Sequence, residues 1–355
     1  MAHSASLSAF EELAELTSQM LDRNGSYLQW QQAIERYFSI CVKIVGHGEV
    51  AIETSIHRDT PSPYGRMISP RNAGRCLHDF LRTTRFLQGV YAAIQELQQR
   101  FPNQCLRVLY AGSGPFAPLA LPLMTVFKPT EVQFWVLDYH QSTLDSVRQI
   151  AAHFQVEDSI QAFIQADATQ FTPDESYHLV VTETMQKGLA NEPQVAITAH
   201  LLRSLLPDGL LVPERITVNA ILVNLAKEFD FNSDNATPQR QRIELGPIFT
   251  VDQATMSGYS VTYPEPLTFP AITVSIPPIT TDMRSLALQT QIQTYGDIRL
   301  DDYESGLTYL TAIDHIQMLP HGGTLTFQYI LDDQPRFLWE LATRPITLDR
   351  IVIDA

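Results

Sequence analysis

Two carboxylates stand nine positions apart in Glu183-Thr-Met-Gln-Lys-Gly-Leu-Ala-Asn-Glu192, at the exit of the apolar run His178-Leu-Val-Val-Thr182. Two acids so placed can bind parallel N–H groups of a guanidinium or ammonium, localise its charge and help remove a proton. Glu183 is the first candidate site residue and Glu192 the second. Glu192 also precedes Pro193 at the start of a helical stretch, where the helix dipole favours an acid on its own account. An acidic loop after a strand is common. Its meaning depends on whether the segment before it holds a ligand.

That segment has the pattern of a nucleotide-type unit. Leu106-Arg-Val-Leu-Tyr110 is an apolar strand followed at once by Ala111-Gly-Ser-Gly114, then by a stretch from Ala117 to Phe127 expected to be helical. Gly112 and Gly114 allow a tight turn and a close approach of backbone to ligand. The third glycine of the dinucleotide fingerprint is absent, which with the acidic loop argues against a nicotinamide-dependent dehydrogenase. A second strand, Glu131 to Asp138, closes in a carboxylate 24 residues past Gly114, where an acid can accept hydrogen bonds from ribose hydroxyls. A helix is expected from Ser142 to Phe154. A third strand then runs from Ile160 to Asp167, whose acid and neighbouring backbone are placed to recognise an adenine amino group. Each acid also has a plain alternative as a helix cap or turn former. Strand four is Tyr177 to Thr182, and Pro207-Asp-Gly209 is a turn into strand five, Leu210 to Val212. Alternating strands and helices imply a mostly parallel sheet with ligands at the carboxyl ends of its strands.

The flanks differ in texture. Leu7, Phe10, Leu13, Leu16, Met20 and Leu21 recur at helical spacing, as do Trp30, Ile34, Tyr37, Phe38 and Cys41. Residues 49 to 56 alternate like a short strand, and Pro61, Pro63, Gly65 and Pro70 break the chain into a loop. A helix is expected from about Ala73 to Gln99, with Asp79, Arg82 and Arg85 on neighbouring turns. They form either a surface ion pair or a lid over a ligand. From Thr217 the chain reads as strands: Val218 to Val223, Tyr259 to Tyr263, Ala271 to Ile276, Leu286 to Ile292 and Leu325 to Ile330. Lys227 to Arg242 is polar and expected to be an exposed loop or a dimerisation arm. Asp314, His315 and His321 are further candidate site residues.

The chain has 355 residues with a formal net charge of −15, which excludes the basic surface that nucleic-acid binding needs. Its three cysteines form no CxxC pair, so neither a zinc site nor a disulfide framework is expected. No metal site is expected. There is no run of about twenty apolar residues and no leader pattern, so the expected location is cytoplasmic, without a membrane partner.

The motifs together resemble class I S-adenosylmethionine-dependent methyltransferases, and more narrowly the protein arginine methyltransferase family. The resemblance is close over residues 76 to 220 and loose elsewhere. It rests on Val108-Leu-Tyr-Ala-Gly-Ser-Gly114, on Asp138, and on the spacing from Thr182-Glu183 to Glu192. Upstream it rests on Leu77-His-Asp79-Phe-Leu-Arg82-Thr, and downstream on Leu206-Pro-Asp-Gly-Leu-Leu-Val-Pro-Glu-Arg215. The resemblance implies S-adenosyl-L-methionine as cofactor, held by Arg82, Gly112, Gly114, Asp138, Asp167 and Glu183, with Arg82 on the methionine carboxylate. It assigns catalysis to Glu183 and Glu192. The family's Thr-His-Trp loop has its nearest counterpart in Leu307-Thr308-Tyr309, which lacks the histidine and tryptophan. The residues after Glu183 (Thr-Met-Gln-Lys) depart from the family's usual small or tryptophan-bearing sequence, and Lys187 puts a cation within the loop.

The expected architecture is α/β plus β. A helical N-terminal region (1–100) covers the cofactor site with its last helix. A Rossmann-like domain of the seven-strand methyltransferase type (101–215) follows, and then a β-barrel or sandwich domain (216–355) for substrate and dimerisation. The expected activity is methyl transfer to a guanidino or amino nitrogen of a small molecule or peptide, by a protein for which a homodimer is the expected assembly. O- or C-methylation, transfer of another group from the same cofactor, and a non-catalytic binding protein on the same fold stand as alternatives.

Overall fold

The computed structural model describes residues 7–46, 58–229, 238, 240–279, 285–316 and 319–343. Helices α1 (Ala9–Leu21) and α2 (Tyr27–Val45) start on Ser8 and Ser26, whose hydroxyls accept the Glu11 and Gln29 N–H groups. Their apolar faces bury Leu13, Met20, Trp30, Ile34, Tyr37 and Cys41. The stretch at 49–56 expected to be a strand lies outside the described residues. The proline-rich segment expected to be a loop instead forms a short hairpin, β1 (Thr60–Ser62) with β2 (Gly65–Met67).

The single helix expected from Ala73 is two. Helix α3 (Pro70–Arg75) runs through a 3-10 turn, Cys76–His78, and α4 (Phe80–Arg100) begins afresh. The break falls at Asp79, which leaves helical geometry and caps α4 by accepting the Arg82 N–H at 3.3 Å.

Five parallel strands form the central sheet: β3 (Leu106–Ala111), β4 (Val132–Asp138), β5 (Ile160–Gln165), β6 (Tyr177–Thr182) and β7 (Leu205–Val212), in the order β5-β4-β3-β6-β7. Helices α5 (Gln141–Phe154) and α6 (Gln194–Leu201) lie in the crossovers after β4 and β6. The sheet is Rossmann-like, and it takes five of the strands that the seven-strand type would count. Pro207-Asp-Gly209 lies inside β7 rather than before it, where the register against β6 slips, with Asp208 at φ 64°.

After β3 the sequence expectation fails. Residues 117–127 form turns and one 3-10 segment, Pro122–Thr125, not an α-helix. Pro118 and Pro122 carry no N–H to continue a helical ladder, and Ala117 sits at φ 38°.

Beyond β7 the chain leaves for antiparallel pairing. One sheet joins β8 (Arg215–Val223), β9 (Arg242–Asp252), β12 (Ser285–Tyr295), β13 (Ile298–Leu300) and β14 (Thr311–His315). The other joins β10 (Leu267–Thr268), β11 (Ile272–Ile276), β15 (Gly323–Leu331) and β16 (Arg336–Thr343). A one-turn helix α7 (Gln253–Met256) follows β9. The sheets meet where Phe249 stacks on Tyr329 at 4.6 Å and Phe269 closes against both. Of the barrel or sandwich expected, the described strands make a sandwich-like pair and no closed barrel. Tyr259–Tyr263, expected as a strand, pairs with no strand among the described residues. The polar stretch from Lys227 begins in a 3-10 turn, Leu225–Lys227, and most of its middle lies outside the described residues.

Helix α4 ties the two halves together. It packs on β12 so closely that a Cβ at Gly89 would stand 2.7 Å from the Thr294 hydroxyl oxygen, and that hydroxyl donates to the Arg85 carbonyl at 3.0 Å. No helix among the described residues is long and apolar enough to cross a membrane.

Candidate functional site

The carboxyl ends of β3, β4 and β6 open into one pocket, closed over by α4 and the β1–β2 hairpin. Its walls include Arg66, Cys76, Arg82, Gly112, Gly114, Asp138, His140, Glu183, Thr184 and Glu192. The space between these atoms is about 950 Å³, open solvent at the mouth included.

The acidic loop is not a free excursion. The Gln194 side chain accepts from the Thr184 backbone N–H and hydroxyl at 2.9 Å and donates to the Thr182 and Thr198 hydroxyls at 2.8 and 3.1 Å. One buried amide thus bridges the start of the loop to the helix after it. From the sandwich, the Tyr329 hydroxyl donates to the Leu189 carbonyl at 2.7 Å, and the Gly188 N–H donates to the Thr290 hydroxyl at 2.8 Å. The Arg66 N–H donates to the Asn191 carbonyl at 2.7 Å and seats the hairpin on the loop. Both glutamates are therefore held by backbone fixed from three directions.

Arg82 on the first turn of α4 pairs directly with Glu183. Both side chains are nearly sealed, at 11% and 13% exposure. Burial raises the Glu183 carboxyl, and the guanidinium beside it pulls the other way. Glu192 is 6% exposed, and its carboxyl is pushed up to about 7. Burial is the main cause and the Glu183 charge the next; Arg82 and the Gln186 amide oppose them. Two neighbouring carboxylates thus differ in role. Glu183 has a cation of its own, and Glu192 is poised to take up or release a proton near neutrality. Cys76 shares this corner, and burial pushes its thiol up to about 11, so it is a neutral wall.

Asp79 has a second role. One carboxylate oxygen caps α4; the other accepts from the Ser305 hydroxyl at 2.6 Å and the Gly306 N–H at 2.9 Å. The Leu307-Thr308-Tyr309 segment is thereby docked on the helix that carries Arg82. Arg85 turns away and lies over the Trp30 ring at 4.8 Å.

At the other end of the pocket, Gly112 (φ 77°) and Gly114 (φ 61°) turn the chain after β3. The Gly114 N–H donates to the Asp138 carboxylate at 3.1 Å, and the His140 N–H donates to it at 2.9 Å. Burial raises the Asp138 carboxyl against these hydrogen bonds. The His140 Nε2 is buried without a partner on the pocket wall, a polar atom that a ligand would satisfy. Asp167 uses its carboxylate locally: it accepts from the Thr169 N–H and hydroxyl and from the Gln170 amide. Its neighbours Ala166 and Ala168 line the pocket instead.

Gly112 is where a substitution would be felt most directly. A Cβ there would stand 2.3 Å from Thr184 Cγ2, in left-handed backbone that strains any other residue. Gly112→Ala is expected to lower the melting temperature and weaken binding of S-adenosylhomocysteine at least tenfold. Adding Thr184→Ser, which removes that Cγ2 but keeps the hydroxyl bonded to Gln194, is expected to restore part of both in parallel calorimetric titrations and melts.

Among solved structures, the chain is similar to the Trypanosoma brucei PRMT1 enzyme–prozyme heterotetrameric complex with AdoHcy. The match covers 77% of this chain and 93% of that one at a TM-score of 0.53 and 14% sequence identity. The chain has a PRMT-like methyltransferase fold. No family model and no curated protein matches the sequence.

Within that fold the structure brings Arg82, Glu183, Glu192, Gly112, Gly114 and Asp138 to one pocket. Asp314 and His315 lie on exposed β14, and with His321 they are absent from its walls. Sequence reasoning missed Gln194, Tyr329, His140 and the hairpin. Only Gln194 carried a signal, as a buried-facing amide two residues past Glu192. Tyr329 acts across 140 residues of chain and had none. Among the described residues no cluster could hold a metal ion.

Proposed function

We propose that the protein is an S-adenosyl-L-methionine-dependent methyltransferase acting on a guanidino or amino nitrogen. The observation that carries this reading is the pair of buried carboxylates in one pocket with the glycine turn and Asp138, one paired to Arg82 and the other held near neutrality. The comparison protein was solved with AdoHcy, and the residues here suit the same group. Asp138 offers a buried carboxylate toward ribose hydroxyls, and His140 Nε2 is an unsatisfied atom on that wall. Gly112 and Gly114 let the backbone approach, the chain around Ala166 and Ala168 faces the base, and Arg82 keeps N–H groups beyond its Glu183 contact for a carboxylate. Asp167 supports this wall through the turn it caps.

When bound, the cofactor supplies an electrophilic methyl on a sulfonium. The chain must then present an uncharged nitrogen in line with it, at about 3 Å. Glu183, fixed by Arg82, accepts N–H groups and sets the nucleophile's orientation. The Glu192 carboxylate accepts the proton that the cationic nitrogen gives up as it forms the new bond. The hairpin seated on Asn191 and the segment docked on Asp79 keep water from the corner. A homodimer with the site inside each subunit fits this reading; sedimentation would test it.

The deciding experiment is calorimetric titration with S-adenosylhomocysteine, followed by mass spectrometry of guanidino, amino and hydroxy metabolites incubated with S-adenosylmethionine. Binding together with a gain of one CH2 on nitrogen supports the proposal. Absence of cofactor binding refutes it, and a CH2 on oxygen or carbon refutes the nitrogen assignment.

A further inference from the structure

Resting on that reading, we propose that Arg66 binds an anionic group of the methyl acceptor, so that the substrate is a small zwitterion carrying a carboxylate beside its guanidino or amino nitrogen. Two of the pocket's walls carry guanidinium groups that differ in state. Arg82 is ion-paired with Glu183. Arg66 has no carboxylate partner among the described residues, in a chain with 39 acids against 24 lysines and arginines.

Its platform is rigid. The Arg66 N–H is bonded to the carbonyl of Asn191, the residue before Glu192. Gly65 at φ 115° lies so close that a Cβ would stand 2.3 Å from the same carbonyl oxygen. The preceding Tyr64 is fully buried, and the hairpin ladder pairs Arg66 with Pro61. The side chain itself is exposed, and its guanidinium is free to grip a planar anion in a two-pronged hydrogen bond.

The electrostatic layout then matches one ligand class. Glu183 and Glu192 attract the cationic end, and Arg66, whose backbone is bonded to the residue before Glu192 and which lines the same pocket, attracts the anionic end. A peptide arginine offers a neutral amide at that place and leaves Arg66 unanswered. The same guanidinium chemistry would serve the carboxylate of the cofactor, and the test separates the two.

Calorimetry on the full chain saturated with S-adenosylhomocysteine compares guanidinoacetate with methylguanidine, and L-arginine with agmatine. Each pair differs by one carboxylate. In the wild type the carboxylate-bearing member is expected to bind at least tenfold tighter. In Arg66→Ala the gap is expected to fall below twofold, with Arg66→Lys between, and the affinity for S-adenosylhomocysteine unchanged. Absence of a carboxylate preference in the wild type, including failure of all four compounds to bind, overturns the proposal. So does a preference that survives in Arg66→Ala, or a loss confined to S-adenosylhomocysteine. A wild type that does not bind S-adenosylhomocysteine at all refutes the methyltransferase reading itself, and is read before any acceptor is added.

Discussion

Glu183→Gln is expected to retain S-adenosylhomocysteine binding within about tenfold while turnover falls by roughly 10²–10⁴, the usual contribution of a positioned proton-accepting or orienting carboxylate. The amide keeps the shape and one acceptor oxygen for Arg82 but removes the charge that compensates it. Arg82 stays protonated, because a guanidinium does not give up its proton in a protein. A nearly sealed guanidinium would then face only Glu192, across the corner. Breaking one half of a buried pair costs on the order of 3–5 kcal/mol when the remaining charge has no other partner. Glu192 reduces that cost here, so a loss near the lower end is expected, read by denaturant unfolding. Arg82→Met is expected to unfold more easily still, and to weaken cofactor binding as well. If Glu183→Gln turns over the true acceptor at the wild-type rate, the assignment of Glu183 fails, whatever its stability.

Glu192→Gln should behave in the opposite way toward stability. A carboxyl raised from an unfolded value near 4.5 to about 7 binds its proton more tightly in the folded state. Between those values the native protein holds more protons than the unfolded chain, so stability falls as pH rises through that window. Above pH 7 the full cost is present, roughly 3 kcal/mol for a shift of this size at a 6% exposed group. Glutamine carries no charge to desolvate. The variant is therefore expected to melt about 3 °C higher than wild type at pH 8 and alike at pH 4.5. Turnover moves the other way. With Glu192 accepting the proton, wild-type kcat/KM should climb with pH and level off above about pH 8, following the group near 7. Glu192→Gln should lose that limb together with about 10²-fold or more of the rate. A variant that keeps the acid limb places the titrating group elsewhere.

These effects rest on contacts of very different legibility. The apolar runs ending in Tyr110, Asp138 and Thr182 could be read as strands because each is short, continuous and followed by a turn former. Their carboxyl ends converge because parallel strands joined by helical crossovers leave no other arrangement. Gly112, Gly114, Asp138, Glu183 and Glu192 followed from that. Periodicity misled where another constraint overrode it. Residues 117–127 are apolar enough for a helix, yet Pro118 and Pro122 remove the donors that one needs. Tyr259–Tyr263 alternates like a strand and has no neighbour in register among the described residues. Strand β9 has no clean alternation, because Gly246 and Pro247 interrupt it, and its pairing with β8 absorbs them in two register shifts.

By itself the sequence determined the order of the central strands, their parallel sheet, and the set of acids and glycines at its edge, since those depend on local patterning and on the chirality of crossovers. It did not determine what state those acids are in. Glu183 meets Arg82 across 101 positions, and Gln194 and Tyr329 clamp the loop between the two glutamates. The charge on Glu192 depends on how deeply packing buries it beside Glu183. Desolvation and Coulomb attraction act over a few ångströms in space, without regard to separation along the chain, so only the folded arrangement could divide one pair of glutamates into a carboxyl paired with a cation and a titrating group.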